Sequence, residues 1–165
     1  MAYFKNFKKI AYSFGDDRAP DLKVLTDITL NARILRQLLP NITLWEYYNL
    51  KDGETPEVLA HRLYGDANLH WVIMMVNERY DVYTDFPLSS TELEVSLEKQ
   101  YSDPLAVKHY IDSEGYIVDS TEPGVKPVSF RDYEIAKNDA KRLIKIVSPN
   151  IATKLASEFK TLMGK

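Results

Sequence analysis

The residues of this 165-residue chain whose types could do chemistry are three histidines and two close pairs of carboxylates; cysteine is absent. His61, His70 and His109 show no H-x-x-x-H or comparable ligand spacing, so they read as ordinary surface or core histidines. Without cysteine there is neither a thiolate nucleophile nor a disulfide, and folding in a reducing compartment is permitted. The serines lack a G-x-S-x-G elbow, and the glycines form neither a phosphate loop nor a dinucleotide fingerprint. Asp52 and Glu54 flank Gly53, while Glu78 and Asp81 follow some twenty-five residues later. Glycoside hydrolysis needs only two suitably spaced acids. A hydrolase acting through Asp52 or Glu54 is thus the catalytic option, against the commoner case of acidic loop residues without a role. The reading is no enzyme, no cofactor and no metal.

Charge narrows the partners. A formal net charge of −3, with both signs interspersed, leaves no broad basic face for nucleic acid and no polybasic membrane anchor. No run approaches the ~20 apolar residues of a membrane span. The first residues do not read as a signal peptide, because Lys5, Lys8 and Lys9 alternate with Phe4, Phe7 and Ile10 and no apolar block follows. Eleven tyrosines, six phenylalanines and two tryptophans lean toward contact surfaces.

The elements that must position these residues centre on residues 47–77. A strand over 42–50 has Leu44, Tyr48 and Leu50 on one face and Trp45 and Tyr47 on the other, so it needs cover on both sides. The chain turns at Lys51-Asp52-Gly53. Thr55 then caps a helix that starts at Pro56 and ends at Gly65. Asp66 caps a second helix with Leu69, Val72, Ile73 and Val76 at helical spacing. Trp71, Met74 and Met75 make that helix apolar nearly all round. Its second face is buried either within the chain or against a partner, and Met and Trp suit the latter use.

On either side the pattern is simpler. Residues 1–15 read as an extended arm or edge strand carrying Phe4 and Phe7, or as a frayed terminus. Residues 21–29 form a strand candidate, and residues 31–39 a helix stopped by Pro40. Ser89 and Glu92 form a capping box for a helix running to about Tyr101. Residues 106–110 and 116–118 form a hairpin about 112–115, residues 120–127 a loop, Asn138-Asp139 a turn and residues 141–147 a strand. Ser148-Pro149 starts a terminal helix with Ile151, Leu155, Phe159 and Leu162 along one side.

The central stretch resembles a LysM-like unit, the small strand-helix-helix-strand module with an aromatic strand, a G-[DE]-T turn, a Tyr-x-[DN] step, a Trp and a terminal Asn. Those positions are Tyr48, Gly53-Glu54-Thr55, Tyr64-Gly65-Asp66, Trp71 and Asn77. The match departs at Pro56, where Leu is usual, and in the second strand expected after Asn77, which reads ERYDVYTDF. Over most of its length the chain also resembles the small LysM-bearing wedge subunit of the baseplates of contractile-tailed phages. The match is carried by YFKNFKKIAYSF, VLTDITLNARI, GETPEVLAHRLYGDANLHWVIMMVNERYD, DFPLSSTELE and NDAKRLIKIVSPNIATKLASEF.

The resemblance implies an α+β fold. Residues 1–40 would form an arm, strand and short helix, residues 41–88 a LysM-like core, and residues 89–165 a C-terminal helix, hairpin and terminal helix. It implies a virion structural protein of the tail baseplate, made in the host cytoplasm and present as a hetero-oligomer in several copies. The implied partners are other wedge subunits and the tail hub or sheath-initiating proteins. Residues expected at partner contacts are Trp71, Met74, Met75, Trp45, Tyr47, Phe4, Phe7, Leu155 and Phe159. The alternative is a peptidoglycan- or chitooligosaccharide-binding module using Gly53, Glu54, Thr55 and Asn77.

Overall fold

In a computed structural model, residues 3–15, 21–29 and 45–163 are described. The expected helix over 31–39 and the first residues of the strand over 42–50 lie outside them. In chain order the elements are a 3-10 turn (Tyr3–Asn6), β1 (Lys9–Ser13), β2 (Leu22–Thr26), β3 (Trp45–Asn49), α1 (Pro56–Tyr64), a second 3-10 turn (Ala67–Leu69), α2 (His70–Val76) and α3 (Val82–Asp85). There follow α4 (Ser90–Gln100), β4 (Val107–Ile111), β5 (Ile117–Val118), β6 (Lys126–Ser129), α5 (Phe130–Asp139), β7 (Leu143–Val147) and α6 (Pro149–Met163). The fold is α+β, as expected. Its described strands form two two-stranded sheets, β1-β2 and β3-β7, and one three-stranded sheet ordered β5-β4-β6.

The chain divides into two compact units, one of Met1–Tyr47, Thr55–Tyr80 and Lys145–Lys165, the other of Tyr48–Glu54 and Asp81–Ile144. In the first unit, local sequence sets the helix ends. The Thr55 side chain accepts from the Val58 N–H, Pro56 opens α1, and Gly65 closes it in the left-handed region at φ 74°. Asp66 accepts from the Asn68 N–H and caps the 3-10 turn that leads into α2. Val72, Ile73 and Val76 of α2 are buried. Val72 and Val76 form a core with Val147 and Ala152, against which Trp45, Tyr64, Leu69, Trp71, Ile151 and Leu155 pack. β1 and β2 form an antiparallel ribbon, with Lys9 opposite Thr26 and Ser13 opposite Leu22.

The second unit joins α4 and α5 to the three-stranded sheet. The capping box forms as the sequence predicts: Ser89 accepts from the Glu92 N–H and Glu92 from the Ser89 N–H. Tyr110 pairs with Val118 and Ile111 with Ile117 in the expected hairpin, and Asp112 closes its turn by accepting from the Glu114 and Tyr116 N–H groups. Two expectations need correction. The loop over 120–127 is shorter than expected, because Lys126 and Pro127 begin β6, an edge strand where a missing proline N–H is tolerated. Residues 130–139 are a helix, and Asn138-Asp139 are its last turn rather than a free turn.

A third correction concerns the central motif. The strand that pairs with β3 does not follow Asn77, where α3 forms behind its Asp81 cap; it is β7, from 143 onward. The ERYDVYTDF segment lacks β-branched alternation, whereas LIKIV supplies it.

Candidate functional site

The carboxylates that could do chemistry are engaged within the fold. In the 51–54 turn Gly53 takes φ 67°, a left-handed conformation that any side chain would strain. Glu54 Oε2 accepts from the Tyr48 hydroxyl at 2.9 Å and from the Lys51 N–H at 3.1 Å. Asp52 accepts from the Ser90 N–H at 3.0 Å, the first amide of α4, and from Arg142 Nη2 at 3.2 Å. Arg142 also donates through Nε to Asp139 at 2.7 Å. The hydrogen bond from Ser90, with that from Arg142, holds the Asp52 carboxyl below its ordinary range. A glycosidase acid needs the opposite displacement.

The second pair is arranged similarly. Asp81 accepts from the Tyr83 N–H at 2.9 Å and from the Thr84 hydroxyl at 3.1 Å as the cap of α3. Glu78 takes a left-handed backbone at φ 52° just after α2. The histidines are apart in role. His70 Nδ1 lies 3.0 Å from the Ala67 carbonyl, His109 meets the edge of Tyr133, and His61 is exposed on α1. Among the described residues no group of three or more His, Asp or Glu could hold a metal ion.

The residues of the glycan alternative also have internal tasks. Thr55 is the α1 cap, and Gly53 and Glu54 shape the turn. The Asn77 side-chain amide donates to the carbonyls of Ile73 and Lys145, both at 2.8 Å, and its oxygen accepts from the Lys145 N–H at 2.7 Å.

The expected contact residues divide by exposure. Phe7, Phe159 and Met163 form a buried cluster against which Trp71 and Met75 pack, and the Trp71 and Phe159 rings lie 4.6 Å apart. Leu155 and Trp45 pack on the neighbouring core, and the Lys145 ammonium sits over the Trp45 ring. Met74 is half-buried. Tyr47 is 67 % exposed and Phe4 41 %, with Phe4 leaning on Phe7 at 5.2 Å.

Further exposed apolar groups stand on the β1-β2 ribbon: Ile10, Tyr12, Phe14, Leu22, Val24 and Leu25. Alternation in KIAYSF and LKVLT signals the strands, but period-2 patterning does not say whether the apolar face is covered. The bulge at Lys108 in β4 was likewise hidden in the sequence. It turns both Lys108 and His109 to Tyr133, with the Lys108 ammonium 3.1 Å from the ring centre.

Fold and site together describe an α+β protein whose candidate polar groups serve as caps and clasps and whose surface carries clustered aromatic and aliphatic side chains. The model of the family described as base plate wedge protein 53 matches residues 2–118, more than half of the chain, and the chain belongs to that family. It is thereby one of the structural base plate wedge proteins of phages. It is also 38 % identical over 60 residues, 36 % of its own length, to the baseplate wedge protein gp53 of Enterobacteria phage T4. The matched region spans 30 % of that relative's length.

Proposed function

We propose that this chain works without catalysis, as a part of the virion's tail base plate that joins other wedge subunits through its surface. The observation that carries the reading is the family match over residues 2–118. Two features support it. Asp52, Glu54 and Asp81 are bound within the fold as caps and turn acceptors. Large apolar side chains, among them Tyr12, Phe14, Leu22 and Val24 of the β1-β2 ribbon segment, stand exposed, as contact surfaces require. Assembly takes place in the host cytoplasm, with several copies entering each virion alongside non-identical wedge, hub or sheath-initiating subunits.

The test is complementation. A phage in which this chain is depleted should accumulate incomplete wedges or base plates, and the wild-type chain supplied in trans should restore them. Complete base plates without the chain would overturn the reading.

A further inference from the structure

The segment that carries the β1-β2 ribbon puts one side chain into the core. Of the described residues in 4–15 and 21–29, Phe7 alone is buried, at 5 % exposed; Asn6, Thr26 and Asp27 are half-buried and the others are exposed. Phe7 closes the first 3-10 turn, its N–H donating to the Phe4 carbonyl at 3.3 Å, and its ring enters a socket built by α2 and α6. Phe159 meets the ring edge-on at 5.9 Å, Met163 shares the buried cluster, and Trp71 and Met75 pack against it.

Two further observations set the ribbon apart from the socket. Its strands are tied to each other: Lys9 Nζ donates to the Thr26 hydroxyl at 2.6 Å, the Asp27 N–H to the Lys8 carbonyl at 2.8 Å and the Phe14 N–H to the Asp21 carbonyl at 3.0 Å. Those bonds travel with the ribbon. The core that joins α2 to β7 and α6, formed by Val72, Val76, Val147 and Ala152, does not include Phe7. Withdrawing the ring from its socket would expose it, with Phe159 and Met163, to water, which favours the seated state. A segment fixed by so little buried surface nevertheless opens at a lower free energy than the helices of a core.

We propose that Phe7 is a plug and the β1-β2 ribbon a strap. With the ring seated, the strap is fastened to α2 and α6; with the ring withdrawn, the ribbon swings away as one piece while α1, α2 and α6 stay folded. The device lies wholly within the isolated chain, so its test needs no wedge subunit and its failure leaves the assembly reading untouched.

The chain has no cysteine, so introduced thiols are the only sites for spin labels. One pair, Tyr12→Cys with Val58→Cys of α1, measures strap against core; a second, Val58→Cys with Leu162→Cys of α6, measures the core alone, and all three native side chains are exposed. Pulsed electron-spin distance measurements on the full chain should give one narrow distance for each pair. Phe7→Asp, whose carboxylate enters an apolar socket only at a large desolvation cost, should lose the narrow 12–58 distance to a broad distribution and keep the 58–162 distance. Phe7→Leu, which still fills the socket with an apolar side chain, should keep both. A narrow 12–58 distance that persisted in Phe7→Asp would show the ribbon held without the plug. Broadening of the 58–162 distance in the same variant would show Phe7 to be part of the cooperative core. Either result would overturn the proposal.

Discussion

The side chain of Asn77 clasps a single residue of β7, Lys145, by both of its backbone groups, 68 residues away along the chain. Its NH2 also holds the Ile73 carbonyl near the end of α2. One amide therefore satisfies the helix terminus and locks the strand beside it, a pairing that a carboxylate or hydroxyl of similar size could not complete. Asn138 repeats the device in the other unit, donating to the Leu88 carbonyl at 2.9 Å and accepting from the Leu88 N–H at 2.8 Å.

Removing either clasp leaves half-buried backbone groups without partners. Asn77→Ala and Asn138→Ala should each cost about 1–3 kcal/mol in urea unfolding. Asn77→Asp should cost at least as much as the alanine change, because a carboxylate cannot donate to the two carbonyls and meets them with like charge. If Asn77→Asp matched wild type, the clasp would carry no stability.

Gly65 isolates a backbone term. A Cβ added there meets nothing within 4 Å, so Gly65→Ala tests only the left-handed conformation at φ 74°. The loss expected is about 1 kcal/mol, with no change in the denaturant dependence of unfolding.

Buried and exposed aromatic positions should respond differently. Phe159→Ala removes a ring only 3 % exposed and should cost about 3–5 kcal/mol. Tyr47→Ala should leave stability within about 0.5 kcal/mol of wild type. Any loss of assembly by Tyr47→Ala is then a contact effect, whereas a loss by Phe159→Ala also reflects the fold.

The Asp52 carboxyl is held below its ordinary 3.8 by Ser90 and Arg142. A carboxylate whose folded value is depressed stabilises the protein above its unfolded value and loses that contribution as pH falls through the folded one. Asp52→Asn should therefore lower the melting temperature at pH 7, and the gap to wild type should close as pH falls below the ordinary carboxylate value of 3.8 and through the depressed folded one. Asp66 and Asp119, depressed by hydrogen bonds from Asn68 and Thr121, add to the same acid limb in wild type. A gap that persisted unchanged to low pH would mean that Asp52 acts through shape and not charge.

Titration with chitohexaose or soluble peptidoglycan fragments should produce no binding heat, because Glu54, Thr55 and Asn77 have hydrogen-bonding duties inside the fold. Heat in the micromolar range would restore the glycan-binding alternative.

Much of the local structure was legible. The Thr55-Pro56 start, the Gly65 stop and the Ser89/Glu92 box all form as the residues predict. α5 was missed because FRDYEIAKND shows a weak apolar stripe, although Ser129, which accepts from the Asp132 N–H, gives the S-x-x-D signal of a helix start. The internal roles of Trp71, Met75, Phe7 and Phe159 were not legible: an apolar-all-round helix calls for cover on both faces without saying whether α6 or another chain provides it.

The sequence by itself determined the caps, the turns at 51–53 and 112–115, the α+β composition and the family membership, because each depends on residue types at short, countable spacings. Only the tertiary structure decided that β7 closes on β3 in place of a strand after Asn77, that Asp52 and Arg142 bind each other across the chain, and that the ribbon's apolar residues stay exposed while Phe7 and Phe159 do not. These are long-range pairings. Their free energy depends on which distant surfaces meet and exclude water, and no local pattern encodes that choice.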